Sequence, residues 1–148
     1  MSEHQANIRW TNTSGGMNSD SYNREHQWDF LNGIKINASA AVEYKGKEDC
    51  VDPEQALVAA ISSCHMLTFL AIASKKGMVV EKYSDDAVGF LEKDGDGTIS
   101  LARAVLKPKI VFSGEKIPTQ EDLERLHHSA HAHCFIANSV RTDVKIEL

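Results

Sequence analysis

The sequence predicts an α+β domain, with helices packed on largely antiparallel sheets. Three observations carry that expectation. A long helical segment opens at Asp52-Pro53-Glu54-Gln55, and a shorter one opens at Thr119. Around them lie β-rich stretches punctuated by Asn32-Gly33 and Asp94-Gly95-Asp96-Gly97 turns. Their order is β-β-β-α-β-β-α-β. A chain of 148 residues without repeats or a linker is the size of one domain, so residues 1–148 are expected to form a single one.

The elements follow in order. Ile8 to Thr11 is a weak strand, and Thr13-Ser14-Gly15-Gly16 is a turn. Tyr22 to Phe30 and Ile34 to Ala40 form a hairpin closed through Asn32-Gly33, with Ile34, Ile36, Ala38 and Ala40 alternating on one side. A polar loop, Lys45 to Cys50, leads to the long helix. Asp52 caps it, Pro53 fits its first position, Glu54 favours the dipole and Gln55 closes a capping box. The helix runs to about Lys76 and stops at Gly77. Leu57, Ile61, Cys64, Thr68 and Ala71 make its apolar stripe, widened by Leu67, Phe69 and Leu70. Val79 to Glu92 and Thr98 to Phe112 are two long strands, with Pro108 at an edge or bulge. Thr119 caps the second helix, whose face carries Leu123, Leu126, Ala130 and then Cys134. Val140 to Ile146 is the last strand.

Composition narrows the function. Net charge is -5 and no stretch concentrates Lys and Arg, which argues against a nucleic-acid partner. The apolar run Ala56 to Ala73 is broken by Ser62, Ser63, His65 and Thr68, so it reads as a core helix and not a membrane span. Three cysteines and a start without a basic, then apolar, leader point to a reducing, cytoplasmic setting.

Candidate chemistry then rests on few residues. Cys64 sits mid-helix, beyond the reach of the N-terminal dipole, so it is either a small buried hydrophobe or a thiol activated by a cation from elsewhere. Cys134 sits on the apolar face of the second helix, and the two faces can bring the sulfurs together across the core. His127, His131 and Cys134 are spaced i, i+4, i+7, and His65 follows Cys64. These histidines read as structural, as the wall of a site, or as metal ligands, though no CxxC or HExxH accompanies them. Glu54 alone is a dipole partner and Arg24 alone a surface arginine. Cys50 reads as an unactivated loop thiol.

Two segments carry a resemblance. Asp52 to His65, DPEQALVAAISSCH, resembles the central helix of the OsmC/Ohr family of osmotically inducible and organic hydroperoxide resistance proteins. His131 to Ser139, HAHCFIANS, resembles its second cysteine segment, and the layout of the remaining elements fits over nearly the whole chain. The resemblance implies an intertwined α+β homodimer with sites at the subunit interface. It implies a peroxidatic cysteine at Cys64 and a resolving cysteine at Cys134. It further implies a glutamate at Glu54 and an arginine, best matched by Arg24 and less well by Arg9. Phe135 stands where many organic hydroperoxide resistance members have proline, and His65 also points to a different branch.

Together these readings give a thiol-dependent peroxidase. Arg24, held by Glu54, stabilises the Cys64 thiolate. Cys64 is oxidised by a hydroperoxide, Cys134 closes a disulfide, and an external dithiol reopens it. Leu57, Ile61, Leu67, Phe135 and Ile136 form an apolar wall suited to an organic peroxide. No metal or bound cofactor is required. Glu54 and Cys64 are ten positions apart, about 15 Å along a straight helix, so a site using both is expected to need two chains. The competing readings are a metal- or small-ligand-binding dimer using His127, His131 and Cys134, and a hydroperoxide sensor.

Overall fold

In the computed structural model, which describes residues 1–148, Asn32 and Gly33 turn the chain between two antiparallel strands as their sequence demands. Strands β1 (Ala6–Arg9), β2 (His26–Phe30) and β3 (Lys35–Ala38) form a sheet in that order. Asp29 on β2 accepts from Arg9 of β1 at 2.9 Å and pairs with Lys35 of β3 at 3.3 Å. Residues 22–25 stay outside the strand expected to include them. Their backbone is engaged elsewhere: the Asn23 carbonyl accepts from the Trp10 indole at 2.8 Å, and the Asn23 side chain bonds Thr11 and Thr13. A bridge from Ala38 to Val51 then leads into the long helix. These elements make the first of two units, Met1–Ala56; the second is Leu57–Leu148.

Helix α1 (Pro53–Lys75) starts where the sequence places it. The Asp52 carboxylate accepts from the Gln55 N–H at 2.7 Å, and the Gln55 side chain accepts from the Asp52 N–H at 3.3 Å, a reciprocal cap. It ends at Gly77, whose φ of +72° suits glycine. The Met78 N–H there returns to the Ala73 carbonyl at 3.0 Å.

The second unit holds β4 (Val79–Asp85), β5 (Val88–Lys93), β6 (Ile99–Leu106), β7 (Pro108–Ser113), α2 (Gln120–Ala132) and β8 (Asp143–Ile146). Each long strand expected from the sequence is thus broken in two. Both breaks fall at the same level of the ladder. There Pro108 lacks an N–H, and the Asp85 carboxylate captures the Lys107 N–H at 2.6 Å. The four pieces divide between a β4-β7 pair and a β5-β6-β8 sheet, in which β8 runs parallel to β6. Thr119 caps α2 in a capping box with Asp122.

Helix α1 buries a single line at four-residue spacing: Ile61, His65, Phe69 and Ala73. Ile61 packs with Ala104 and Leu106 of β6, flanked by Leu57, Ile136 and Val144. Phe69 and Ala73 pack with Leu126 and Ala130 of α2, flanked by Tyr83, Ile110 and Phe112. The expected stripe through Cys64, Thr68 and Ala71 is therefore rotated. Cys64 and Thr68 flank the buried line, while Ala71 is exposed and Leu67 is 60% exposed. The helix is apolar nearly all round, so periodicity could not select a face; His65, the one strongly polar member of the line, has a buried partner described below.

Gly89 sets how closely β5 approaches α1. A Cβ there would meet the Val58 Cγ2 at 2.4 Å and a Leu101 methyl at 2.8 Å. Gly89→Ala is expected to lower unfolding stability by about 1–3 kcal/mol through overpacking. Urea unfolding checks this: an unchanged midpoint at unchanged slope would show that the layer has room.

Candidate active site

Cys64 lies in the body of α1, flanking its buried line, and is half-buried. Cys134 follows the end of α2 and is only 1% exposed. A tight turn fixes it: its N–H bonds the His131 carbonyl at 3.2 Å, its carbonyl accepts from Asn138 at 3.0 Å, and its sulfur receives the Ala137 N–H at 3.5 Å. The two sulfurs are close enough to interact and are not bonded to each other. The meeting of the two helix faces expected from the sequence therefore occurs. Burial pushes the Cys134 thiol up, and the neighbouring Cys64 adds to this against the Ala137 N–H. Cys134 is thus a protonated thiol at neutral pH, beside a more accessible one.

One residue beyond Cys64, His65 joins α1 to α2. Its Nε2 lies 2.9 Å from the His127 Nδ1. The two rings are coplanar within 2° with centroids 5.2 Å apart, so they meet edge to edge along that N···N bond. Phe69 covers the His127 ring at 4.5 Å. Both imidazoles are almost wholly buried, at 1% and 2% exposure. Burial lowers the His65 pKa to about 4, with His131 adding and Asp85 opposing. Burial and then His65 lower His127 to about 4. Both are therefore neutral at pH 7, and His65 is not the cation that a Cys64 thiolate needs. The outer nitrogens, His65 Nδ1 and His127 Nε2, and the Nδ1 of His131 are buried without a partner. His65 and His127 are thus buried and paired within the core, whereas His131 is half-buried. No three His, Cys, Asp or Glu side chains are arranged to hold a metal ion, so His127, His131 and Cys134 do not make a ready metal centre.

Beside the pair runs a network that sequence periodicity did not single out. The Ser62 hydroxyl donates to Asp85, which also holds the Lys107 N–H. The nearby Tyr83 hydroxyl is buried and unpartnered; burial, then Asp85, raises its pKa. The only signal was a serine within an apolar helix and an acid at the end of a strand.

Arg24 belongs to the first unit. Its guanidinium donates to the carbonyls of Tyr22 at 2.9 Å and Ser19 at 2.8 Å, and lies 4.0 Å from the Tyr22 ring centroid. It lines a groove of about 510 Å³ with Ile8, Trp10, Met17, Tyr22 and His26. Glu54 lies half-buried in the first turn of α1. The expected Arg24–Glu54 ion pair is not formed within the chain: the ten ion pairs include neither residue. Arg9 is committed to Asp29. Cys50 sits 3.8 Å from an Asp49 carboxylate oxygen; burial and Asp49 push its thiol up, which fits an unactivated thiol. The expected apolar wall divides. Ile61 is core, with Leu57 and Ile136 packed against it, while Leu67 is 60% and Phe135 81% exposed.

The neutral histidine pair predicts a pH dependence. An unfolded histidine titrates near its ordinary value, about 6.5, whereas the folded pair resists protonation until about 4. Between those values the unfolded chain binds more protons, so stability is full above pH ~6.5 and falls as pH drops toward 4. Denaturant midpoints across this range check it, with His127→Asn expected to flatten the profile; a wild-type midpoint constant from pH 7 to 4.5 would contradict a buried neutral pair.

Comparison with known proteins agrees with this architecture. Residues 46–148 match the family described as OsmC-like protein. The fold is similar to an OsmC-like protein of unknown function from Vibrio cholerae, 49% identical, with 99% of each chain covered and a TM-score of 0.94. It is also similar to an organic hydroperoxide resistance protein OsmC from Legionella pneumophila (18% identity, 99% of this chain and 96% of that one, TM-score 0.73). A third similar structure is the organic hydroperoxide resistance protein OhrB of Bacillus subtilis (17% identity, 99% and 97% covered, TM-score 0.67). A search of curated proteins finds no match. With the matched segment holding Cys64 and Cys134, and a relative sharing half its residues end to end, this chain belongs to the OsmC-like family.

Proposed function

We propose that the protein is a thiol-dependent peroxidase that reduces organic hydroperoxides, with Cys64 the peroxidatic and Cys134 the resolving cysteine. The observation that carries this is the unequal pair of free thiols. Cys64 is partly accessible, whereas Cys134 is buried, protonated and beside it. Two proteins of similar fold are named organic hydroperoxide resistance proteins, which supports the same direction.

The chemistry balances without a cofactor. The Cys64 thiolate attacks the peroxide; an S–O bond forms, the O–O bond breaks, and the alkoxide leaves as an alcohol after taking a proton. The Cys134 sulfur then displaces hydroxide from the sulfenic acid, giving a disulfide and water. An external dithiol returns both thiols by exchange. A mid-helix thiolate needs a nearby cation. Arg24 fills that role in this proposal, oriented by Glu54, within a homodimer whose second copy completes the site. The setting is the cytoplasm, where dithiol reductants are maintained.

Peroxide without reductant is expected to give an intramolecular Cys64–Cys134 disulfide, read by peptide mapping under non-reducing conditions. Cys64→Ser abolishes peroxide consumption and Cys50→Ser leaves it intact. A main product bridging Cys50, or full activity in Cys64→Ser, sinks the assignment. Arg24→Ala is expected to raise the Cys64 pKa by about one unit or more. Thiolate absorbance titrations measure it, and identical curves would remove Arg24 from the site.

A further inference from the structure

His26 stands between two groups that leave its ring one choice of proton. The Trp28 indole N–H, 2.9 Å from the His26 Nε2, can only donate. The Arg24 carbonyl oxygen, 2.9 Å from the His26 Nδ1, can only accept. The imidazole between them therefore carries its proton on Nδ1 and keeps Nε2 bare. The strand explains the pairing. His26 opens β2 and Trp28 lies two residues further on, so the two side chains leave the same face. Their rings are tilted by 48° with centroids 6.2 Å apart, an arrangement distinct from stacking.

Arg24 is the far end of this line of donors. The ladder between β2 and β3 begins only at His26, so no strand fixes the Arg24 carbonyl; the imidazole does. The Arg24 N–H donates to the Glu25 carboxylate at 3.0 Å, and Lys47 holds that carboxylate at 2.6 Å. The guanidinium is anchored on the carbonyls of Tyr22 and Ser19. Arg24 and His26 line the same groove.

We propose that His26 is a positioning residue for Arg24: held by the Trp28 indole in its Nδ1–H form, it grips the Arg24 carbonyl and so fixes where the guanidinium sits in the groove. The proposal rests on the reading of Arg24 as the cation of the Cys64 thiolate. It extends that role from one side chain to the segment Arg24-Glu25-His26-Gln27-Trp28. His26 touches no reacting atom; it acts through Arg24. Trp28 acts one step further back, by keeping the acceptor nitrogen of His26 turned away from Arg24.

Two measurements on the full-length reduced protein test it, and neither uses peroxide, so a failure of the peroxidase reading shows separately in turnover. Nitrogen-15 spectra of the wild type give the tautomer of neutral His26 without any variant: Nδ1–H is expected, and an Nε2–H ring overturns the proposal. The second measurement is the pH profile of iodoacetamide alkylation, followed on the Cys64 peptide. His26→Leu removes both hydrogen bonds, whereas His26→Asn keeps an N–H donor for the Arg24 carbonyl. His26→Leu is expected to move the alkylation midpoint upward by about half a unit or more, in the direction of Arg24→Ala. His26→Asn is expected to recover most of that shift. Adding His26→Leu to Arg24→Ala is expected to move the midpoint no further, because the histidine acts only through the arginine. A merely structural histidine lowers stability and leaves the Cys64 profile where it was. An unmoved profile in His26→Leu beside a shift in Arg24→Ala therefore overturns the positioning role and keeps Arg24 in the site. An unmoved profile in Arg24→Ala removes Arg24 from the thiol, and the role of His26 falls with it.

Discussion

The edge-to-edge hydrogen bond between His65 and His127 fixes the face that α1 turns toward α2. Almost every side of α1 is apolar, so hydrophobic burial alone does not choose one. A buried imidazole costs free energy unless it is paired, and only one rotation of α1 places His65 against His127. That rotation puts Phe69 and Ala73 against Leu126 and Ala130, and leaves Cys64 one residue off the buried line. It also sets the Cys64 sulfur beside Cys134. The packing of α1 and the placing of the two thiols therefore follow from one polar contact.

The two thiols differ because their supports differ. Cys134 is locked in the turn after α2 and buried, which holds its proton on. Cys64 keeps an accessible side, next to the exposed Leu67. Cys134 beside it holds its proton, and the buried His65 and His127 are neutral at pH 7, so none of these three supplies positive charge. A Cys64 thiolate would therefore need its cation from another group. Leu67 and Phe135 are large apolar side chains left exposed in this chain.

Much of this was legible in the sequence where local chemistry decides structure. Asp52, Pro53, Gln55 and Gly77 bounded α1 to within a residue, because caps act on their own helix end. Thr119 did the same for α2. The apolar faces of the two helices do meet as expected, but Cys64 flanks the buried line of α1 and Cys134 lies in the turn after α2. What failed depended on distant partners. The strand breaks at the level of Asp85 and Pro108 arise from a side chain capturing a backbone N–H across the hairpin. The rotation of α1 depended on His127, 62 residues away from His65. Phe135 was counted as wall because it is apolar and adjoins Cys134, yet its tight turn directs it outward. The Arg24–Glu54 pair came from resemblance, and within one chain Arg24 satisfies itself on the carbonyls of Tyr22 and Ser19.

The central claim is that the unequal thiol pair performs repeated reduction of peroxide and not a single oxidation. The most direct measurement is steady-state consumption of a bulky organic hydroperoxide by catalytic amounts of protein with excess dithiol, beside the same assay with hydrogen peroxide. The account predicts many turnovers per chain, faster with the organic peroxide. Consumption that stops at one equivalent per chain while dithiol remains would contradict it, and would leave a protein whose thiols register peroxide without removing it.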